Sequence, residues 1–467
     1  GGTGGRGGTG GSTGGRGGTT GGTAGTAATG GSSGVDAGDA GPVEGGVADA
    51  GDTAPVEGGT DVAADVPAGD GGTAVMRSFY THPTYPAGVI RPNKPQPMLD
   101  GAVTAIYTGW KKFVINGCGG SYVKAGADIG ANLATVSELQ GMGMVITVIL
   151  AGHDENARTI FDGMFRVARA HKSGNNMALS SKEVRLAGNN CMNAPMPESQ
   201  TDGDLDMATA LLMAEKQWGN GGTVNYGMEA RTMIAAIKMN DMNQNAMSKL
   251  PLLGDWVSVN DAKFYWGTRS ADFIPGHLRS FGGATNDTFW MQSVDAIYGL
   301  IAKIQMVNSP NTGLLPDFIV NINTNAVPAP ANWSFSNSPH DGQYYYHAAR
   351  SPLRLVTDYI GSGGSEARAK AALAKMNTWI RMKTAENPAM IVDGYNITSG
   401  SSTGIGNGPT VVFEGPFGAA AVVDAANQAW VDAIWNRISA GAVGNDSLAE
   451  SIRLVSLLVM SGHWWSP

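Results

Sequence analysis

The sequence predicts an all-α domain behind a disordered, Gly/Thr-rich N-terminal segment. Three observations lead there: a change of composition near residue 75, apolar residues recurring at helical spacing beyond it, and a scarcity of alternating strand patterns. Of the 467 residues 68 are glycine, and 28 of those fall within residues 1–73. That segment has almost no aromatic or large aliphatic side chain. It cannot bury enough apolar surface to offset the entropy of ordering it. It runs first Gly/Thr, then Gly/Ala/Asp/Pro/Val, and reads as a flexible linker. No apolar strand precedes its glycines and no helix pattern follows, so they do not read as a phosphate loop.

Residues 1–73 carry nine acids and two arginines, which leaves 30 acids against 29 bases in the rest of the chain. A near-neutral domain excludes a basic nucleic-acid footprint and a polybasic membrane patch. No run of apolar residues is long enough to span a bilayer. A linker of this kind ahead of a folded domain is common in exported bacterial proteins, so the expected location is secreted or tethered at the cell surface. A monomer is expected. The only cysteines, Cys118 and Cys191, both sit in loop-like contexts (INGCGGSY and GNNCMNAP); they form either one disulfide in an oxidising compartment or two unpaired buried thiols. There is no CxxC or HExxH, and the seven histidines are scattered. Neither a metal site nor a cofactor is expected.

From Met76 to Pro467 the chain reads as one domain. In Asp204–Trp218, Met207, Leu211, Ala214 and Trp218 share one helical face, with Thr201 and Asp202 ahead of them as N-cap candidates. Ala367–Met382 and Ser447–Met460 are further predicted helices. Between helices lie polar loops rich in Gly, Asn, Pro and Ser: Gly219–Asn225, Asn308–Thr312, Val327–Asp341 and Thr398–Pro409. Val411–Phe413 is the best short strand candidate. Helices joined by long polar loops describe a scaffold that carries its chemistry on the loops.

Four segments hold more polar and aromatic chemistry than a helical core needs. In Thr135–Met144 (TVSELQGMGM), Glu138 stands before a Gly-x-Gly and an apolar run. That places a carboxyl at the mouth of a buried helix, where desolvation favours a general acid; a plain helix-start glutamate would look the same. In TDGDLDMATALLMAEKQW (201–218), three acids in five residues must cap, bind a cation or hold a polar ligand. DGQYYYHAARSPLR (341–354) sets three tyrosines beside a histidine and two arginines, a combination suited to the apolar faces and hydroxyl edges of sugars, or to an aromatic core edge. The C-terminal MSGHWWSP reads as a packing anchor through Trp464 and Trp465.

Taken together, these segments resemble glycoside hydrolase family 8. TDGDLDMATALLMAEKQWG is similar to that family's signature, and TVSELQGMGM to its general-acid segment, Ser-Glu-Gly-x-Gly-Tyr-Gly-Met. TRSADFIPGHLRSF (268–281) resembles its Pro-Ser-Asp-Phe-Met-Pro segment, and HAARSPLRLVTDY its Asn/Asp-Ala-x-Arg-x-Pro-Trp-Arg…Asp-Tyr segment. KTAENPAMIVDGY, FEGPFGAAAVVDAANQAW and LLVMSGHWWSP look most like the chitosanase and lichenase branch. The segments occur in the right order over about residues 76–467.

The resemblance implies an (α/α)6 barrel and endo-acting, inverting hydrolysis of a β-1,4-linked glycan, either β-glucan and cellulose or chitosan, with xylan as the alternative within the fold. Inversion needs an acid on the leaving oxygen and a base roughly 6.5–9.5 Å away that activates water. By position, Glu138 is the general acid and Asp202 binds and helps distort the sugar ring. Arg350 and Tyr346 line the cleft, and Asp204 and Asp272 add carboxylates to it. Trp110, Trp266 and Trp290 are candidates for stacking on sugars, with core packing as the competing reading.

The base position departs from the family pattern. Where the cellulase branch has its catalytic Asp, this chain has His347; the chitosanase and lichenase branch has Asn there and takes its base from an upstream Glu. No glutamate lies between Glu229 and Glu366. Asp341 is the only acid between Asp317 and Arg350 and becomes the first candidate base. His347 itself is a second, since an imidazole near pKa 6.5 can deprotonate water. The third reading is a base-deficient site, weakly active or glycan-binding only. Leu139, Met142 and Leu353 also replace family residues, the last two removing aromatic surface near the cleft.

Overall fold

A computed structural model describes residues 77–126, 132–188, 190–402 and 410–467. The expected linker over residues 1–73 lies outside them, as does part of the Thr398–Pro409 loop. Twelve α-helices dominate the described residues: α1 Gln96–Trp110, α2 Ser137–Ile149, α3 Ala157–Ala170, α4 Thr201–Trp218, α5 Tyr226–Asn240, α6 Pro275–Thr285, α7 Phe289–Val307, α8 Ser351–Gly361, α9 Ala367–Lys383, α10 Val411–Ala421, α11 Gln428–Ile438 and α12 Ser447–Met460.

Of the even-numbered helices, α2, α4, α8, α10 and α12 are buried nearly all round, while α6 buries mainly its first turn and Phe281. Every residue of α2 is buried, and so is almost all of α4, α10 and α12. Each packs on the next even helix, α2 on α4, α4 on α6, and so on to α10 on α12, and α12 returns to α2. Odd-numbered helices α3, α5, α7, α9 and α11 pack against their even-numbered predecessors. Their composition fits: α3 (ARTIFDGMFRVARA) buries Phe161, Met164, Phe165 and Val167 while exposing Arg166, the amphipathic pattern of a one-sided helix.

Two sequence expectations change here. Val411–Phe413 is not a strand but the first turn of α10. Its apolar character continues through Pro416 to Ala421 because the whole helix is enclosed, and a short apolar run cannot be told from a buried helix by periodicity. Thr201 and Asp202 lie inside α4, whose N-cap is Gln200 without a side-chain cap; the Thr201 hydroxyl donates instead to the Leu252 carbonyl at 2.7 Å. Strands do occur, as three small antiparallel sheets of very short segments. They are β1 Val114–Gly117 with β2 Gly120–Val123; β3 Leu133–Val136, β4 Glu183–Ala187 and β5 Asn190–Asn193; and β6 Gly267–Arg269, β7 Phe318–Val320 and β8 Val327–Pro328. A disulfide joins Cys118, in the β1–β2 turn, to Cys191 on β5, 73 residues away.

The sheets aim the loops. β3 runs straight into α2, and Ser137 N donates to the Lys182 carbonyl, fixing where the helix begins. β6 leads into the turn that holds Asp272, and β7 carries Asp317 at its entrance.

Candidate active site

Glu138 is the second residue of α2 and Asp202 the second of α4, so both carboxyls sit at helix N-termini, where the dipole favours negative charge. The two helices approach closely because glycine faces each contact. A Cβ on Gly203 would stand 2.6 Å from the Ser137 backbone carbonyl carbon, and one on Gly141 would stand 2.8 Å from the Gly203 carbonyl oxygen. The glycine of TDGD and the first of QGMG therefore bring the two acids side by side.

Arg350 lies between them. Its guanidinium pairs with Glu138 through Nη1 and stands 3.7 Å from Asp202 Oδ2 through Nη2. The other Asp202 oxygen accepts from Arg269 Nη2 at 2.9 Å and from Gly203 N and Gln200 Nε2, both at 3.0 Å. Arg269 is fully buried and chelated in turn by Asp272, whose two oxygens it takes through Nε and Nη2 at 2.6–3.2 Å. Burial pushes the Asp272 carboxyl up to about 7 against the pull of Arg269. Beneath this layer Arg354 binds both oxygens of Asp206 at 2.6–2.7 Å, and His277 Nε2 approaches the same carboxylate at 2.8 Å. Arg350, Met142, Leu353 and Trp464 share a small cavity at this depth.

The site also concentrates buried polar atoms with no hydrogen-bond partner. Ser137 Oγ, Asp202 Oδ2, Arg269 Nη1, Ser270 Oγ and Arg350 Nε are in this state, Asp202 Oδ2 having only the Arg350 charge 3.7 Å away. Buried polar groups are usually paired, and a polyhydroxylated ligand is suited to meet a group of them gathered at one place.

On the other wall, His347 and Asp341 belong to the 334–350 segment. Asp341 is fully buried, and its oxygens accept from Ser334 N at 2.6 Å and Ser334 Oγ at 2.8 Å. His347 Nδ1 lies 3.2 Å from Arg350 Nη2, and a guanidinium only donates, so Nδ1 accepts. The neutral ring therefore carries its proton on Nε2. Burial and the Arg269 charge pull the imidazole down to about 3. Asp317 anchors this turn by accepting from the amides of Tyr345 (3.0 Å) and Ala348 (2.7 Å).

The remaining sequence candidates divide. Tyr346 is exposed and packs edge-on against Phe413. Asp204 is fully buried; Ser180 N donates to it, and its carboxyl is raised by burial and by Asp255. Trp110 and Trp290 are corrected to core residues. Both are essentially inaccessible, the first donating to Ser451 Oγ at 2.9 Å and the second packed between Phe281 and Phe289, so neither has a ring face for a sugar. Trp266 is partly buried on Tyr265. Trp464 and Trp465 are buried as anchors. Sequence reasoning passed over Arg269, Arg354 and Asp317; for the arginines the signal available was their place inside two family-like segments, TRSAD and SPLR.

The chain that builds this arrangement is similar over most of its length to known proteins. The sequence model of glycosyl hydrolases family 8 matches residues 102–461. The chain belongs to that family. Relatives of this family 8 glycoside hydrolase include a beta-glucanase of Niallia circulans, 39% identical over 393 residues that cover 84% of this chain and 91% of the relative. An endoglucanase of Bacillus sp. (strain KSM-330) is 38% identical, with 82% of this chain and 80% of the relative covered. Among solved structures, the apo beta-1,3-1,4-glucanase from Paenibacillus sp. X4 superposes with a TM-score of 0.75 at 37% identity, covering 83% of this chain and 98% of that one. A cold-adapted family 8 xylanase reaches a TM-score of 0.64 at 19% identity, covering 81% and 97%, a likeness of fold.

Proposed function

We propose that this family 8 enzyme is an endo-acting, inverting hydrolase of β-1,4-linked glucans, mixed-linkage β-glucan included, with Glu138 as general acid. The observation that carries the reading is the Glu138–Arg350–Asp202 cluster with its unpaired buried polar atoms. Similarity to two glucan-cleaving relatives across most of the domain supports glucan over chitosan and xylan. The cyclic packing of the even-numbered helices supports an (α/α)6 barrel. In this reading Glu138 protonates the leaving oxygen. Asp202, held in place by Arg269, uses Oδ2, which accepts no hydrogen bond, to grip a hydroxyl of the distorted sugar. The domain is a secreted or surface-tethered monomer carried on the 1–73 linker. The Cys118–Cys191 disulfide supports an oxidising compartment, and no helix among the described residues is long and apolar enough to cross a membrane.

The test is a reducing-end assay on mixed-linkage β-glucan, carboxymethyl cellulose, chitosan and xylan. Turnover is expected on the first two. Glu138→Gln should lower it by 10²-fold or more while leaving the circular dichroism spectrum unchanged, because a positioned acid contributes roughly 10²–10⁴-fold. A fully active variant would remove the acid assignment.

A second reading concerns water activation. Asp341 is tied to Ser334, and His347 offers a protonated Nε2 with a pKa near 3, so both loop candidates are poor bases as they stand. That favours an enzyme that grips glycan firmly and cuts it slowly. If Asp341 swings free to serve as base, Asp341→Asn abolishes turnover at unchanged KM. If it is the loop anchor, the same change loosens the Ser334 turn and lowers the melting temperature while residual turnover persists. The contacts support the second outcome.

A further inference from the structure

Away from the Glu138 cluster, and sharing no residue with it, two histidines from opposite ends of the domain meet on one aspartate. His82 precedes α1, Asp100 lies on α1, and His463 follows α12. His82 Nε2 is 3.0 Å and His463 Nε2 is 3.2 Å from the same atom, Asp100 Oδ1. The three ligating atoms lie within 4.8 Å of one another. Asp100 and His463 are buried, and His82 is partly open to solvent.

The hydrogen bonds around His463 fix where its proton is. Ser461 Oγ lies 2.6 Å from the Leu457 carbonyl, one turn back along α12, and spends its only proton there. His463 Nδ1 lies 2.7 Å from the same Oγ, which must therefore accept, so Nδ1 is the protonated nitrogen. In the neutral ring Nε2 is then a bare lone pair, and it is buried without a hydrogen-bond partner. It faces a carboxylate oxygen, which is also an acceptor. Two acceptors this close repel each other unless a cation joins them.

We propose that His82, Asp100 and His463 form a binding site for a divalent transition-metal ion, zinc in the first instance. Two imidazole nitrogens and one carboxylate oxygen are a zinc ligand set, whereas magnesium and calcium require mostly oxygen ligands. Tetrahedral zinc with bonds of about 2.0–2.1 Å places its ligand atoms roughly 3.3 Å apart, close to the 3.0 and 3.2 Å seen here. An outer layer of the kind that orients metal ligands is present as well. His463 Nδ1 donates to Ser461, and Gln96 Nε2, 2.8 Å from Asp100 Oδ1, is held by Arg91 through its own oxygen at 2.6 Å. The open side at His82 admits a water as fourth ligand. The ion ties the segment ahead of α1 to the segment behind α12.

The experiment uses the full chain without an affinity tag, stripped with EDTA and dialysed against zinc. One zinc per chain is expected by elemental analysis and a single site by calorimetric titration. His82→Ala, at a partly exposed position, should weaken zinc binding at least tenfold, and His463→Gln should do the same. Glu138→Gln, outside the site, should bind zinc like the unmodified chain. Zinc should raise the melting temperature of the unmodified chain but not of His82→Ala, and magnesium should do neither. If the unmodified chain retains no more zinc than His82→Ala, or magnesium matches zinc, the proposal fails, and His463 is instead an imidazolium paired with Asp100.

Discussion

His347 shows how much one side chain's surroundings decide. Residue type alone does not distinguish a base from a donor at this position; Arg350, three residues on, makes the difference once the turn folds by occupying Nδ1. Its folded pKa, near 3, lies well below the usual 6.5, so the unfolded chain takes up a proton that the folded chain refuses. The stability linked to this ring is complete above about pH 6.5 and is lost as pH falls from there towards 3, at no more than about 1.4 kcal/mol per pH unit. Urea melts at pH 7, 5.5 and 4.5 should show that decline, and His347→Gln should flatten it; an unchanged slope would mean the ring titrates normally. Glu138, Asp202 and Arg350 were legible in the sequence because their segments carry them in a recognisable order. Arg269 and Asp317 were not, since their importance lies in partners 67 and 31 residues distant, Asp202 and Ala348, which only folding supplies.

Among elements, the contact between α2 and α4 carries the site. Helix propensity alone makes Gly203→Ala stabilising by about 1 kcal/mol. Here the added methyl would stand 2.6 Å from the Ser137 backbone, which cannot yield without moving the start of α2 and Glu138 with it. Gly203→Ala should therefore lower the melting temperature and activity together, whereas Gly283→Ala, with open space at its Cβ, should do neither. The helices with strong signals, α9 and α12, were predicted to within one residue of their ends. α10 was misread over its first residues because an enclosed helix has no polar face to reveal its period. The two- to five-residue strands escaped notice because too few positions alternate for a pattern to register.

At the scale of the molecule, the Cys118–Cys191 bond closes a 73-residue span that contains both α2 and α3. Chain-entropy arguments give such a loop about 4 kcal/mol, or roughly 5 °C for a domain this large. The double variant Cys118→Ser with Cys191→Ser should melt lower by about that amount, and reductant should reproduce the shift; equal melting temperatures would show a bond without thermodynamic weight. The cyclic packing has a different consequence, one of timing. α2 and α4 are near each other along the chain, but the contact of α2 with α12 joins stretches about 300 residues apart. Wherever the chain emerges, from a ribosome or from an export channel, α2 keeps an apolar flank with no mate until the final helix arrives.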